Sequence, residues 1–449
     1  MTRTLTRRTV LKTAAATTTA LAMPFVHGAH AAGSLKVGFW DHWVPGANDV
    51  MSKICHEWAE KEKVDIQIDF ITTVGDKLIL TAAAEAQARS GHDILAIQTW
   101  YAVGHADVLE PMDDLVKQLE QQNGKVTAGA EYLGTNDGHW VAVPANVGCQ
   151  TKPPCARIDL MKQLCGIDVQ KMYPAGGPPD KELADNWTWD TFLDAAGKAA
   201  KGGSPFGMPM GQVATDATDW VGAVFASHGA FLMDKDGNIT VKTDQVKQVL
   251  EWFKKAVPLF PADTFAWDDA GNNKWLVSGK GALIMNPPSA WAVAVRDMPK
   301  IAEQLWTFAS PKGPKGRYEP SQPWFWGTWS FSPNKAAAKS LLTHLSSRES
   351  AEKFVAASHG YDLPPWANLL DFKTWAEEGP PKGTLYSYPP RYPDQIVSIA
   401  CAPAPKKIAN QIYSQATMTK MIAHCTQQGQ SIDQAIAWAE QEIEGFMRS

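Results

Sequence analysis

Between Leu35 and Ile97 the hydrophobic pattern changes period four times, and this alternation constrains the fold more than any other feature of the chain. Leu35 to Trp40 is a short apolar run that stops at the polar turn Asp41-His42-Trp43-Val44-Pro45-Gly46. From Asn48 to Lys63 the residues Val50, Ile54, Trp58 and Ala59 recur on one helical face. Val64 to Phe70 then alternates apolar and polar residues, as a strand with one buried face does. A second helix, about Lys77 to Arg89, precedes the apolar strand Asp93 to Ile97. Strands separated by helices pair in parallel, because the crossover returns the chain to the same end of the sheet. In open sheets of this kind ligands bind just beyond the carboxyl ends of the strands. Those ends are Asp41, His42 and Trp43, then Thr72 and Thr73, then Gln98, Trp100 and Tyr101, a mixture of aromatic faces and neutral hydrogen-bonding groups.

Further along, Gly138 to Pro144 reads as a crossing strand, and Tyr173 to Pro179 is a surface segment rich in Pro and Gly. A helix is expected over Trp189 to Lys201 with Thr188 or Asp190 near its start, then a strand and turn at Gly207 to Gln212. Helices follow at Asp216 to Gly229 and Asp244 to Val257. Ala282 to Asn286 is a strand that ends at Pro287-Pro288-Ser289, with Trp291 just beyond. No internal repeat is present.

The amino-terminal segment is expected to be an export signal rather than part of the fold. Arg7 and Arg8 form a twin-arginine pair, an uncharged Ala- and Thr-rich stretch runs from Thr13 to Val26, and Ala29-His30-Ala31 supplies a small-x-small cleavage pattern. An arginine pair opening an ordinary signal is the other reading, since Val10 stands where the motif usually carries Phe. Either way residues 1–32 are removed with cleavage near Ala31, and the protein is expected free in the periplasm, without a lipid anchor. What remains is long for one core and comfortable for two. The formal charge is −5 and no basic run is visible, which disfavours nucleic acid and anionic membranes as partners.

Six cysteines, Cys55, Cys149, Cys155, Cys165, Cys401 and Cys425, permit disulfides in an oxidising compartment, with fifteen complete pairings open. The local choices are Cys149 with Cys155 or Cys165, and Cys401 with Cys425. Enzyme motifs fail: His56-Glu57-Trp58-Ala59-Glu60 begins like the zinc motif H-E-x-x-H, yet Glu60 replaces the second His. No nucleophile elbow, Walker loop or G-x-G-x-x-G is present, so no cofactor or metal is expected. Asp234-Lys235-Asp236-Gly237-Asn238 resembles the start of a calcium loop, but its Gly comes two positions early and Gln245 replaces the closing Glu, so a hairpin turn is expected.

The order of these elements resembles the family-1 extracellular solute-binding proteins, the group that includes the maltose-binding protein. The resemblance rests on Asp93 to Ile97 after a helix, Gly138 to Pro144, Trp187 to Phe192, Phe225 to Gly229 before Asp234 to Thr240, Gly279 to Met285, and Phe331 to Lys335 leading into a helix. It implies a two-lobed α/β binding protein in which each lobe is a mixed, largely parallel sheet flanked by helices, around a hinge and cleft. The first lobe would comprise 33–145 plus 325–379 and the second 146–324 plus 380–449. Implied partners are a small solute, ABC permease subunits in the inner membrane and the twin-arginine translocase during export, with the protein itself a monomer. Implied ligand contacts are Asp41, His42, Trp43, Gln98, Trp100, Tyr101, Asn146, Gln212, Asp216, Asn286, Ser289, Trp291 and Trp326. Trp100 and Tyr101 stand where the maltose-binding pattern has a charged pair, and Gly148 falls near its acidic cleft residue, which speaks against maltose itself.

A sugar presents apolar C–H faces and a rim of hydroxyls, so its site needs flat rings and directional polar groups. The chain carries 19 Trp against 9 Tyr, an excess beyond what core packing asks. Trp43, Trp100, Trp291 and Trp326 are the candidate platforms, while Trp58 and Trp252 lie on helical faces and are expected to pack. Asp41 and Asp216 are the candidate hydroxyl acceptors. The expected ligand is neutral, because few Lys or Arg fall at the strand ends; Arg391, beside Tyr388 and Tyr392, has no assigned role. The rival reading is a periplasmic carbohydrate-active enzyme using Asp41 and Asp216 as its carboxylate pair.

Overall fold

The computed structural model describes residues 33–175, 177–211, 214–286, 289–378 and 394–448. The signal segment, Gln212, Tyr388, Arg391, Tyr392 and the expected third crossing near residue 380 lie outside those residues.

The opening alternation folds as expected: β1 (Ser34–Trp40), α1 (Ala47–Glu62), β2 (Asp65–Ile71), α2 (Lys77–Ala88) and β3 (Ile94–Gln98). Helix α1 starts and ends on left-handed residues, Gly46 at φ 89° and Lys63 at φ 57°, and buries Met51, Ile54, Trp58 and Ala59 against the sheet. β1 pairs in parallel with both β2 and β3. The chain then reaches β4 (Val143–Pro144), β5 (Pro154–Arg157), α3 (Trp189–Lys201), α4 (Ala214–His228), α5 (Asp244–Ala256), α6 (Gly271–Val277) and β6 (Leu283–Met285). Last come β7 (Leu305–Thr307), β8 (Gly316–Pro320), β9 (Trp324–Thr328), β10 (Gln395–Ser398), α7 (Lys406–Ser414), α8 (Thr417–Thr426) and α9 (Ile432–Arg448).

Two lobes result. The first is built on the five-stranded sheet β2-β1-β3-β9-β4, in which β9 returns antiparallel between β3 and β4. The second holds the sheet β6-β5-β7, with β8 and β10 pairing beside it next to a two-residue strand at Lys312–Gly313. Its sheet β6-β5-β7 is antiparallel throughout, where the family resemblance implies a largely parallel one. The physical reason is connection length: strands of three or four residues are joined by long helical excursions, not single crossovers, so their direction is free. Helices α7, α8 and α9 pack on α4 and α5 of the second lobe, while α7 also touches the turn Tyr101–Gly104 of the first. The chain leaves the first sheet after Pro144 and returns between Pro320 and Trp324; these passages run side by side through Thr151 and Ser321.

Several local expectations are met. Thr188 caps α3 in a reciprocal capping box with Thr191. Asp234 accepts hydrogen bonds from the N–H groups of Asp236 and Asn238, closing the expected hairpin turn between Met233 and Ile239. Trp58 and Trp252 are buried packing residues. Other expectations are corrected. The segment expected as one crossing strand splits, His139–Trp140 pairing with Thr135–Asn136 while β4 alone joins the sheet. Residues 207–211 form no strand, since Pro205 and Pro209 cannot donate to a ladder. All six cysteines are buried and unpaired. The local bridges fail because sequence neighbours face different surroundings: the Cys149 thiol donates to Gln322 Oε1 at 3.3 Å, and that of Cys165 to the Ala195 carbonyl at 3.4 Å.

Candidate functional site

The carboxyl ends of β1 and β3 carry a cluster of rings. Trp40 stacks on Trp324 at 4.5 Å, and the half-buried Trp43 meets Trp40 edge-on at 6.4 Å. Asp41 is exposed and accepts a hydrogen bond from Asn48 Nδ2 at 2.7 Å. His42 is occupied from both sides, its Nδ1 accepting from Val44 N–H at 2.9 Å and its Nε2 lying 3.0 Å from Asp362 Oδ1. That same Asp362 oxygen accepts the Gly148 N–H at 2.6 Å, so the strand end of the first lobe is tied to the chain leaving it. Gln98 is buried at the end of β3, and its Oε1 has no hydrogen-bond partner among the described residues.

Trp100, Trp291 and Trp326 present no open face. Trp100 is buried with its Nε1–H donating to the Ala400 carbonyl at 2.8 Å, which joins the two lobes. Trp326 is wholly buried in the first lobe's interior against Phe39, and Trp291 is buried on the helix Ser289–Asp297. Asn146 is likewise internal, its Nδ2 donating to the Leu345 carbonyl at 3.1 Å. Tyr101 is partly buried and meets Tyr413 of the second lobe edge-on at 6.4 Å.

The remaining candidates, Asp216, Asn286 and Ser289, converge on a buried polar network that also contains residues the sequence reading missed. At its centre is Lys152, on the passage between the lobes, ion-paired with Asp216 and, at 3.0 Å, with Asp219. Asp216 Oδ2 accepts from Asn272 Nδ2 at 2.9 Å. Asn286 Nδ2 donates to Asn272 Oδ1 at 3.2 Å and to Asn273 Oδ1 at 2.7 Å, and Asn273 Nδ2 reaches Ser289 Oγ at 2.9 Å. Thr215 donates to Asp269 Oδ2 at 2.7 Å, and the Tyr413 hydroxyl donates to Asp219 Oδ1 at 2.9 Å. The sequence signals were there in part: Asp216 and Asp219 lie three apart and share one face of α4, and α6 opens with Asn272-Asn273.

Two carboxyls therefore pair with one buried ammonium, and a third, Asp269, acts on it through its charge. Burial pushes the Asp219 carboxyl up to about 6 against the attraction of Lys152. Asp269 is raised by burial and by the charge of Asp216. For Lys152 burial disfavours the charged form, but Asp216, Asp219 and Asp269 outweigh it and hold the ammonium protonated. Tyr101 is raised by burial first and then by Asp76 of the first lobe and Asp269 and Asp219 of the second, so acidic groups face this phenol from both lobes. Asp41 and Asp216 are not brought into one network: the first is solvated beside Asn48 and the second is neutralised by Lys152. What the arrangement offers is an array of directional donors and acceptors close to Tyr101 and Tyr413.

A model of the bacterial extracellular solute-binding proteins matches residues 47–352, more than half of the chain. The chain belongs to this family. No curated relative matches. Among solved structures, this family member is similar to a maltose-bound protein of T. maritima at 17% identity and a TM-score of 0.74, covering 92% of this chain and 99% of that one. A solute-binding protein of Thermotoga lettingae with bound alpha-D-tagatose matches at 16% identity and 0.70, over 92% of this chain and 100% of that one. One from Agrobacterium vitis with bound D-mannitol matches at 17% identity and 0.68, over 93% and 99%. At such identities the likeness establishes the two-lobed fold of the family.

Proposed function

We propose that this protein captures a neutral carbohydrate-like solute, whether sugar, oligosaccharide or polyol, by closing its lobes, 33–145 plus 325–379 and 146–324 plus 380–449, over the cleft. It acts as a monomer in the periplasm, exported by the twin-arginine translocase, and delivers its solute to an ABC permease without chemical turnover. The observation that carries this reading is the Lys152 network. It gathers Asp216, Asn286 and Ser289 beside Tyr101 and Tyr413, where the lobes meet, and supplies the donors and acceptors a hydroxyl rim requires. Maltose, tagatose and mannitol, bound by proteins of the same fold, span the solute class in question.

Thermal-shift screening against a sugar and polyol panel tests it. A solute at a hundred times its Kd raises folded-state stability by about 2.7 kcal/mol, a readily measured melting shift. The hit, recovered after prolonged incubation, should be chemically unchanged. A panel without hits, or conversion of the hit to products, would overturn the reading.

A further inference from the structure

A second aromatic feature lies outside the network just described. Trp267 and Trp275 are both half-buried, with ring centroids 5.6 Å apart and planes inclined by 42°. They line an open groove of about 450 Å³ in the second lobe whose edges carry the exposed residues Asp263, Lys274, Ser278 and Lys280. Lys280 Nζ lies 5.8 Å from the centre of the Trp275 ring. Trp275 is anchored through its Nε1–H to the Pro205 carbonyl at 3.0 Å, which fixes its orientation.

The groove and the network are two sides of one stretch of chain. Asp269, Asn272 and Asn273 turn into the network, while their neighbours Asp268, Gly271 and Lys274 line the groove. A helix with its side chains is about 10–12 Å across, so α6 sets the distance between the two. The Trp267 carbonyl is packed so tightly on Gly211 that a Cβ there would sit 2.2 Å away. The Trp275 ring edge packs over Gly207 and Gly281.

We propose that this groove is an outer subsite that stacks the additional rings of an oligosaccharide whose terminal unit occupies the cleft. The inference rests on the carbohydrate reading above and deepens it, because it assigns chains rather than single sugars or polyols as the preferred solute. The chemistry fits that occupant. Two tilted indole faces match successive apolar sugar faces, and a rim bearing both carboxylate and ammonium groups exchanges hydrogen bonds with hydroxyls. An anionic ligand would meet Asp263 and Asp268, and an apolar helix would leave the four charged groups without water or partner.

The test is calorimetric titration of the full mature protein with gluco-, galacto- and manno-configured saccharides of one to five units. Wild type, Trp267→Ala and Lys274→Ala are compared, each checked by thermal melting for retained fold. The expected result is a wild-type affinity that rises at least tenfold with chain length. Trp267→Ala should lose about tenfold for the longer chains, as expected for removing an aromatic anchor, and Lys274→Ala a few-fold, with single-unit binding little changed. Affinity independent of length, or equal losses for short and long chains, would overturn the subsite while leaving the carbohydrate reading intact. Absence of binding to every saccharide would overturn the subsite, and absence of binding to the polyols of the thermal-shift panel as well would overturn both.

Discussion

Asp219 links the buried network to pH. Its carboxyl sits between the Lys152 ammonium and the Tyr413 hydroxyl, and burial raises its pKa from 3.8 to about 6. The folded chain therefore holds this proton at pH values where the unfolded chain has released it. Stability falls with rising pH wherever the folded state binds more protons, so the contribution is complete below pH 4 and is lost progressively as pH rises towards 6. A shift of about two pKa units corresponds to about 3 kcal/mol by pH 7, and the group is fully buried, so solvent does not screen the effect. Asp219→Asn keeps an oxygen to accept the Tyr413 hydroxyl and removes the titration. Other carboxyls titrate over the same range, so the informative quantity is the difference in unfolding free energy between variant and wild type. Urea denaturation of the ligand-free protein at intervals from pH 4 to pH 7 should show that difference shifting in favour of the variant by about 3 kcal/mol. A flat difference, or one moving in favour of wild type as pH rises, would refute the assignment of Asp219 as a carboxyl raised by burial.

Two further outcomes follow from local geometry. Gly148 adopts φ +82°, and a Cβ would lie 2.1 Å from Cδ1 of the buried Trp324. Left-handed strain and overpacking together predict that Gly148→Ala costs about 2 to 5 kcal/mol, read as a lowered urea midpoint; an unchanged midpoint would contradict the packing described. Thr188→Ala removes the reciprocal cap of α3 and should cost about 1 kcal/mol, with Thr188→Ser retaining most of it.

The alternation of β1 to β3 and the ends of those strands were legible because hydrophobic period is a local property, and so were the Thr188 cap and the Asp234 turn. The network was not. Asp216 reads as a lone acceptor in sequence, but the cation that neutralises it lies 64 positions away, and its other side-chain partner, Asn272, lies 56 positions on. The excess of Trp reads as sugar platforms, whereas several of these rings act as internal pins. An indole fills a large gap and offers one N–H, and that donor ties distant segments together: Trp100 to Ala400, Trp187 to Ala309, Trp220 to Pro209 and Trp306 to Tyr173, each through a carbonyl. Nothing in a residue's neighbours reveals such a partner. Trp267 and Trp275, the half-exposed pair, drew no attention in sequence because their exposure depends on how α6 turns.

The six unpaired thiols also set the folded chain apart from the unfolded one. Six cysteines can form fifteen complete sets of bridges, and in this fold every one of those sets is wrong. A chain that met an oxidant before folding would have only misfolded covalent forms available to it. Once folded, the same residues become inert, because burial raises Cys149 and Cys155 to about 12 and leaves almost no thiolate to react. The interior thus works as a seal: the folded chain meets an oxidant with its thiols already closed off, the unfolded chain with all six open.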